Sequence, residues 1–257
     1  MPTTNVNTFE TESNTLTLGS DVVATADEFT LSDMYAVLPN LFDKLSDRGT
    51  YVIRFISSGA YPTIRTIAES ATTKMLKVAT ARGECTALID DIYQGEVVDP
   101  TNSESTYAVI KDFMERISDV DRINPVTKET VDNYGSAFIP YARYKCDTVY
   151  NAITGNAYIF DTYASFGYLY AYAQAVKAGN PEYLAMAGFE RGVLPNCVVL
   201  LQPITDAVAN AIQPTDDYSI NAICNVKPRG IMVWGNRTLK DNSVKHELTH
   251  QSFLNIR

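Results

Sequence analysis

The chain has two histidines, and they stand four residues apart around a glutamate, in His246-Glu-Leu-Thr-His250. On a helix, residues i and i+4 share a face. Both imidazoles can then reach one Zn²⁺ while Glu247 polarises the metal-bound water, which is peptidase chemistry. A catalytic zinc needs a third protein ligand. The extended form of the motif would set glycine at 253 and histidine at 256, where this chain has Phe253 and Ile256. The other common arrangement takes a glutamate from well downstream, and Gln251–Arg257 holds none. Lys240-Asp-Asn-Ser243, just before the motif, reads as a surface turn and not as the flank of a buried helix beside a cleft. The expectation is that His246 and His250 form a chance match, with a zinc peptidase on His246, Glu247 and His250 as the alternative.

Other reactive patterns are missing. There is no GxSxG elbow, no Walker sequence and no GxGxxG, and a Ser-His-Asp triad would have to recruit one of the same two histidines. Asp90-Asp91 follows an apolar run, where α/β enzymes often hold carboxylates. A helix cap or loop ion pair is the favoured reading there. No catalytic, cofactor-binding or metal-binding residue is assigned, and no cofactor is expected.

Composition narrows the class. The chain has 257 residues, 46% hydrophobic and 20% charged, enough for a sizeable core in a soluble protein. A formal net charge of −9 with no basic run argues against direct contact with nucleic acid. Cys85, Cys146, Cys197 and Cys224 are far apart, which reads as free thiols in a reducing compartment. The first residues lack the basic and apolar parts of a signal peptide, and no apolar run approaches the ~20 residues of a membrane span, so no membrane insertion is expected. Sixteen tyrosines suit interfaces, and they also suit strands.

The elements that must position any site follow from periodicity. Residues 1–30 read as an N-terminal arm or partial β segment, and 31–257 as an α/β core. A helix is predicted from Ser32 to about Arg48, a strand over Tyr51–Ile56, a helix from Pro62 to about Arg82, and a strand over Thr86–Asp90. Strand, helix, strand implies a parallel pair with a right-handed crossover, and near-continuous apolar strands imply helices on both sheet faces. Further helices are predicted over Ser105–Ile117 and Asp206–Ile212, and Thr162–Ala178 reads as a helix or a buried segment. Phe138–Cys146 alternates as one strand. Ile220–Val226 and Gly230–Trp234 read as an antiparallel pair around Lys-Pro-Arg-Gly, with Ile231 and Val233 on one face and Met232 and Trp234 on the other.

One segment carries a resemblance. Asn221 together with Lys227-Pro-Arg-Gly-Ile-Met-Val-Trp-Gly-Asn-Arg-Thr-Leu239 resembles the Gly-(Ile/Val)-x-Val-Trp-Gly-x-Arg-Thr-Leu signature of contractile phage tail sheath proteins. Weaker matches fall in the same order: Ala81–Asp90, Tyr141–Tyr144, Ser165–Ala171, Ala185–Gly192 and Asn255–Arg257. The family's usual proline is Met186 here, and the aromatic strand lacks its Pro-Trp, which marks a divergent member.

The resemblance spans about residues 32–257. It implies a subtilisin-like α/β core with a mixed, largely parallel sheet, helices on both sides and some β-rich periphery, without a protease site. It also implies a structural role, polymerising around a tail tube and contracting to drive it through the host envelope. The implied partners are other sheath subunits in a helical homopolymer, the tail tube protein, and baseplate and tail terminator proteins. The implied location is the virion tail, after assembly in host cytoplasm. The family usually continues into a C-terminal domain, so a truncated or protease-resistant fragment ending at Arg257 is expected.

Overall fold

Thr86-Ala-Leu-Ile89 is apolar on both faces, and both faces are covered. In the computed structural model, residues 37, 40–58, 65–90, 99, 101–117, 123–124, 128, 130–150, 153–212 and 218–239 are described. Strand β1 (Phe55–Ser57), helix α1 (Arg65–Arg82) and β2 (Thr86–Ile89) form the expected βαβ unit, with β1 and β2 parallel. Next come α2 (Thr106–Arg116), β3 (Gly135–Ile139), β4 (Ala142–Tyr150), β5 (Ala157–Thr162), α3 (Ala164–Lys177) and α4 (Gly188–Arg191). The order closes with β6 (Cys197–Leu200), α5 (Asp206–Ile212), β7 (Ile220–Val226) and β8 (Gly230–Val233).

Two sheets result. The larger runs β1-β2-β3-β7-β8, parallel as far as β7, with β8 antiparallel at its edge. The smaller is antiparallel in the order β5-β4-β6. This is a mixed α/β fold with a largely parallel sheet flanked by helices and a second, β-rich layer.

Strand period 2 divides the core into two clusters. Ala87, Ile89, Ala137, Ile139, Ile220 and Ala222 point to one face, where Met75 and Ala79 of α1, Ile110 and Met114 of α2, and Ile212 of α5 cover them. Leu88, Phe138, Ile223 and Val233 belong to the opposite cluster, with Tyr168 and Ala171 of α3. Burying a large apolar side chain of this kind contributes about 1.5–3 kcal/mol. Helix α3 therefore lies between the sheets. Its Tyr168 packs on Phe138 and Phe55, with centroids 4.7 and 5.7 Å away, while its Phe166 packs edge-on to Tyr144 and Phe160 of the small sheet. Gly167 permits this closeness: a Cβ there would lie 2.2 Å from Tyr144 Oη and 3.0 Å from Ile223 Cδ1.

Several expectations hold. Helix α2 fills the expected stretch: Ser105 caps it, with Ala108 N donating to Ser105 Oγ (3.3 Å), and its Val109, Ile110, Phe113 and Met114 are buried. Helix α5 and the β7–β8 hairpin have the expected bounds, save that β8 ends at Val233, one residue early.

Other expectations need correction. The strand over Tyr51–Ile56 is only Phe55–Ser57, and Val52 is almost fully exposed. As an edge strand, β1 has only β2 to pair with, and that ladder begins at Phe55 opposite Thr86. Ahead of it, buried Arg82 holds the chain in a turn, donating to Leu45 O (2.6 Å), Asp47 O (3.0 Å) and Tyr51 O (2.6 Å). The first helix closes at Lys44, short of Arg48, because Asp47 accepts from Gly49 N (2.8 Å) and Thr50 Oγ1 (2.5 Å) in that turn. Phe138–Cys146 is two strands in two sheets. Pro140 has no N–H to continue the ladder, so β3 ends at Ile139 and the chain leaves for the small sheet.

Candidate interaction surfaces

The segment that carries the sequence resemblance ends in a clamp. Asn221, on β7, is fully buried. Its Nδ2 donates to Ser136 Oγ (2.8 Å), Ala137 O (3.1 Å) and Arg237 O (2.8 Å), and its Oδ1 accepts from Arg237 N (2.7 Å). One amide thus ties the backbone after β8 across β7 to β3. Gly235 makes the approach possible, since a Cβ there would sit 2.4 Å from Asn221 Oδ1 and 3.0 Å from its Cα. Leu239 N then donates to Gly135 O (3.0 Å), and Thr238 and Leu239 are buried. Gly235, Arg237, Thr238 and Leu239 of the signature therefore all contribute to one crossing point.

Trp234 is the exception. Its N–H still bonds Ala222 O (2.8 Å), but the strand has ended, and the residue is 47% exposed while Met232 is fully buried. The expected pairing of Met232 and Trp234 on one strand face gives way to a buried methionine and a surface tryptophan. Phe189 of α4, itself 45% exposed, meets the indole edge-on at 5.5 Å. The Arg229 guanidinium lies 4.6 Å above the Phe189 ring. Segment 192–194 covers the edge of β8 beside them, through Val233 N to Gly192 O (2.8 Å) and Leu194 N to Ile231 O (2.9 Å).

A second surface is the outer face of the small sheet. Arg143 and Asp161 face each other across β4 and β5 in a two-pronged pair of 2.7 and 2.9 Å. This guanidinium contact holds the Asp161 carboxyl below the usual carboxylate value. Ile159 (54% exposed) and Val199 (42%) flank the pair. On the inner side of the sheet, Tyr144, Cys146, Phe160, Phe166, Tyr170 and Gln174 border a cleft of about 220 Å³. That is below the ~300 Å³ at which small-molecule pockets usually begin.

The residues considered for catalysis are placed as follows. Asp90 is buried at the end of β2, where its carboxylate accepts from Ser165 N (2.7 Å) and Ser165 Oγ at the start of α3. It acts as a helix cap supplied from a neighbouring strand, the reading favoured from sequence. His246, Glu247, His250 and Asp91 lie outside the described residues, as do 1–36 and Asn255–Arg257. Among the described residues no group of three or more His, Cys, Asp or Glu is placed to hold a metal ion. The four cysteines are free, and burial pushes the Cys85, Cys197 and Cys224 thiols up to about 11. No described helix is long and apolar enough to cross a membrane. Sequence reasoning did not single out Phe189, Arg229, Ile159 or Val199; they follow no period, and only the fold brings them to the surfaces they share.

No family model matches the chain, and no curated protein matches it. Among solved structures, the chain is similar to a chain of the anti-feeding prophage baseplate in its contracted state, with 14% identity and a TM-score of 0.44 over 74% of this chain and 40% of that one. It is similar to a chain of the six-fold symmetrised baseplate of that particle, with 14% identity and a TM-score of 0.42 over 86% and 44%. A third likeness is to its contracted helical sheath, with 15% identity and a TM-score of 0.40 over 82% and 44%. The chain spans less than half the length of each of these chains.

Proposed function

We propose that this chain is the α/β core of a contractile-tail sheath subunit, a structural protein without a catalytic site. The observation that carries the reading is the Asn221-to-Leu239 region. Its residues resemble the sheath signature, and most of them act together to lock β8 and the segment after it onto the parallel sheet. A sheath subunit must pass load between neighbours, and a locked sheet edge suits that work. In this reading the partners are further copies in a helical polymer, a tail tube, and baseplate and terminator proteins, and the location is a virion tail. Contraction belongs to the polymer.

Sedimentation of the gene product that contains this chain tests the proposal. Polymers of many subunits are expected, unaffected by chelators. Discrete particles at every concentration would count against it. Near-stoichiometric zinc, lost together with a peptidase activity on chelation, would replace it with the reading based on His246, Glu247 and His250.

A further inference from the structure

The edge beside β8 carries positive charge in a strongly acidic chain. Lys227 and Arg229 flank Pro228 at the tip of the β7–β8 hairpin, and among the described residues neither meets a carboxylate. Arg229 stacks on Phe189, and Phe189 meets Trp234, so the cation and two half-exposed rings form one stripe. An arginine stacked on an aromatic face keeps its N–H fork free for a carboxylate. Arg191, at the end of α4, adds a third cation, and its neighbour Glu190 lies 3.6 Å from it. Val193, 37% exposed, extends the apolar part.

The same sequence holds a stretch of matching chemistry. Residues 1–36 contain Glu10, Glu12, Asp21, Asp27, Glu28 and Asp33 and no lysine or arginine; the first basic side chain is Lys44. Phe9, Leu16, Leu18, Phe29 and Leu31 are interspersed among the acids. Fully extended, a stretch of that length reaches at most roughly 120 Å, ample to cross a domain of this size. We propose that the Arg229–Phe189–Trp234 stripe is the docking site for the acidic stretch 10–33 of this chain, carboxylates on Lys227 and Arg229 and apolar side chains over the two rings. A phosphate polymer is a poor fit, because the chain as a whole carries −9. The inference rests on charge and exposure and does not depend on the sheath reading.

Trp234 is the only tryptophan, so its fluorescence reports on this site alone. The experiment is acrylamide quenching of Trp234 in the full chain, at low and high salt, with circular dichroism as a check on folding. High salt, which screens exposed ion pairs, is expected to raise quenching about twofold, as a covered ring becomes half exposed. The double variant K227E/R229E is expected to do the same at low salt. The compensating reversal E10K/E12K/D27K/E28K, added to K227E/R229E, is expected to return quenching to the wild-type level. Quenching that ignores both salt and charge reversal would overturn the proposal. So would a combined variant no better protected than K227E/R229E alone. Tube formation is scored separately, so failure here leaves the sheath reading standing.

Discussion

The crossing at Asn221 and the outer face of the β5-β4-β6 sheet are built on opposite principles. At the crossing, a buried amide commits both of its polar atoms to named partners, and glycine is needed for backbone to pass. On the outer face, an arginine and an aspartate grip each other in solvent, and apolar side chains on either side stay half uncovered. The first region is a lock whose parts are interdependent. The second is a surface on which single changes should be tolerated by the fold. Burial sets the difference, because orphaning a buried hydrogen-bonding group costs far more than losing an exposed pair.

The largest expected effect comes from breaking the lock. Asn221→Ala takes from Arg237 N the acceptor that Asn221 Oδ1 provides and opens a hole. Chemical denaturation should show a loss of about 3 kcal/mol or more. Gly167→Ala should rank next, at about 2 kcal/mol, because the added carbon must displace the Tyr144 ring that joins α3 to the small sheet. A loss below about 0.5 kcal/mol at either site would show that the interior gives way more easily than this geometry allows.

A pH effect follows from the thiols of Cys85, Cys197 and half-buried Cys224. Their folded values of about 11 lie above the ordinary 9.0, so the folded state favours the neutral form. Their contribution is fully present below pH 9 and is lost as pH rises towards 11, as the unfolded chain releases protons first. Melting temperature should fall across that window, and Cys→Ser changes at these positions should flatten the fall. Asp161 works the other way: its contribution is present above 3.8 and fades as pH drops below it. The smallest effects belong to the open face. Ile159→Thr and Val199→Thr should each change stability by less than about 0.5 kcal/mol. A larger loss would mean that this face is covered within the subunit.

Legibility from sequence followed the same divide. The βαβ unit, α2, α5 and the β7–β8 hairpin were readable because their residues run apolar or repeat in step with local burial. The small sheet was not. Strand β5 sets both Tyr158 and Ile159 in solvent, which erases period 2, and β6 is only four residues long. Phe138–Cys146 alternates through Pro140 as though continuous, and nothing local says that the chain changes sheets there. The signature from Gly230 to Leu239 was recognisable as a pattern, but the reason for its glycine and arginine was not. Gly235 and Arg237 matter through Asn221, a partner on another strand that no spacing rule reveals.

The central claim, a sheath-type structural subunit, is tested most directly by negative-stain electron microscopy of the full gene product that contains this chain. The account predicts hollow tubes of uniform diameter with helical order. Discrete particles from intact, folded protein, across the whole accessible concentration range, would contradict it.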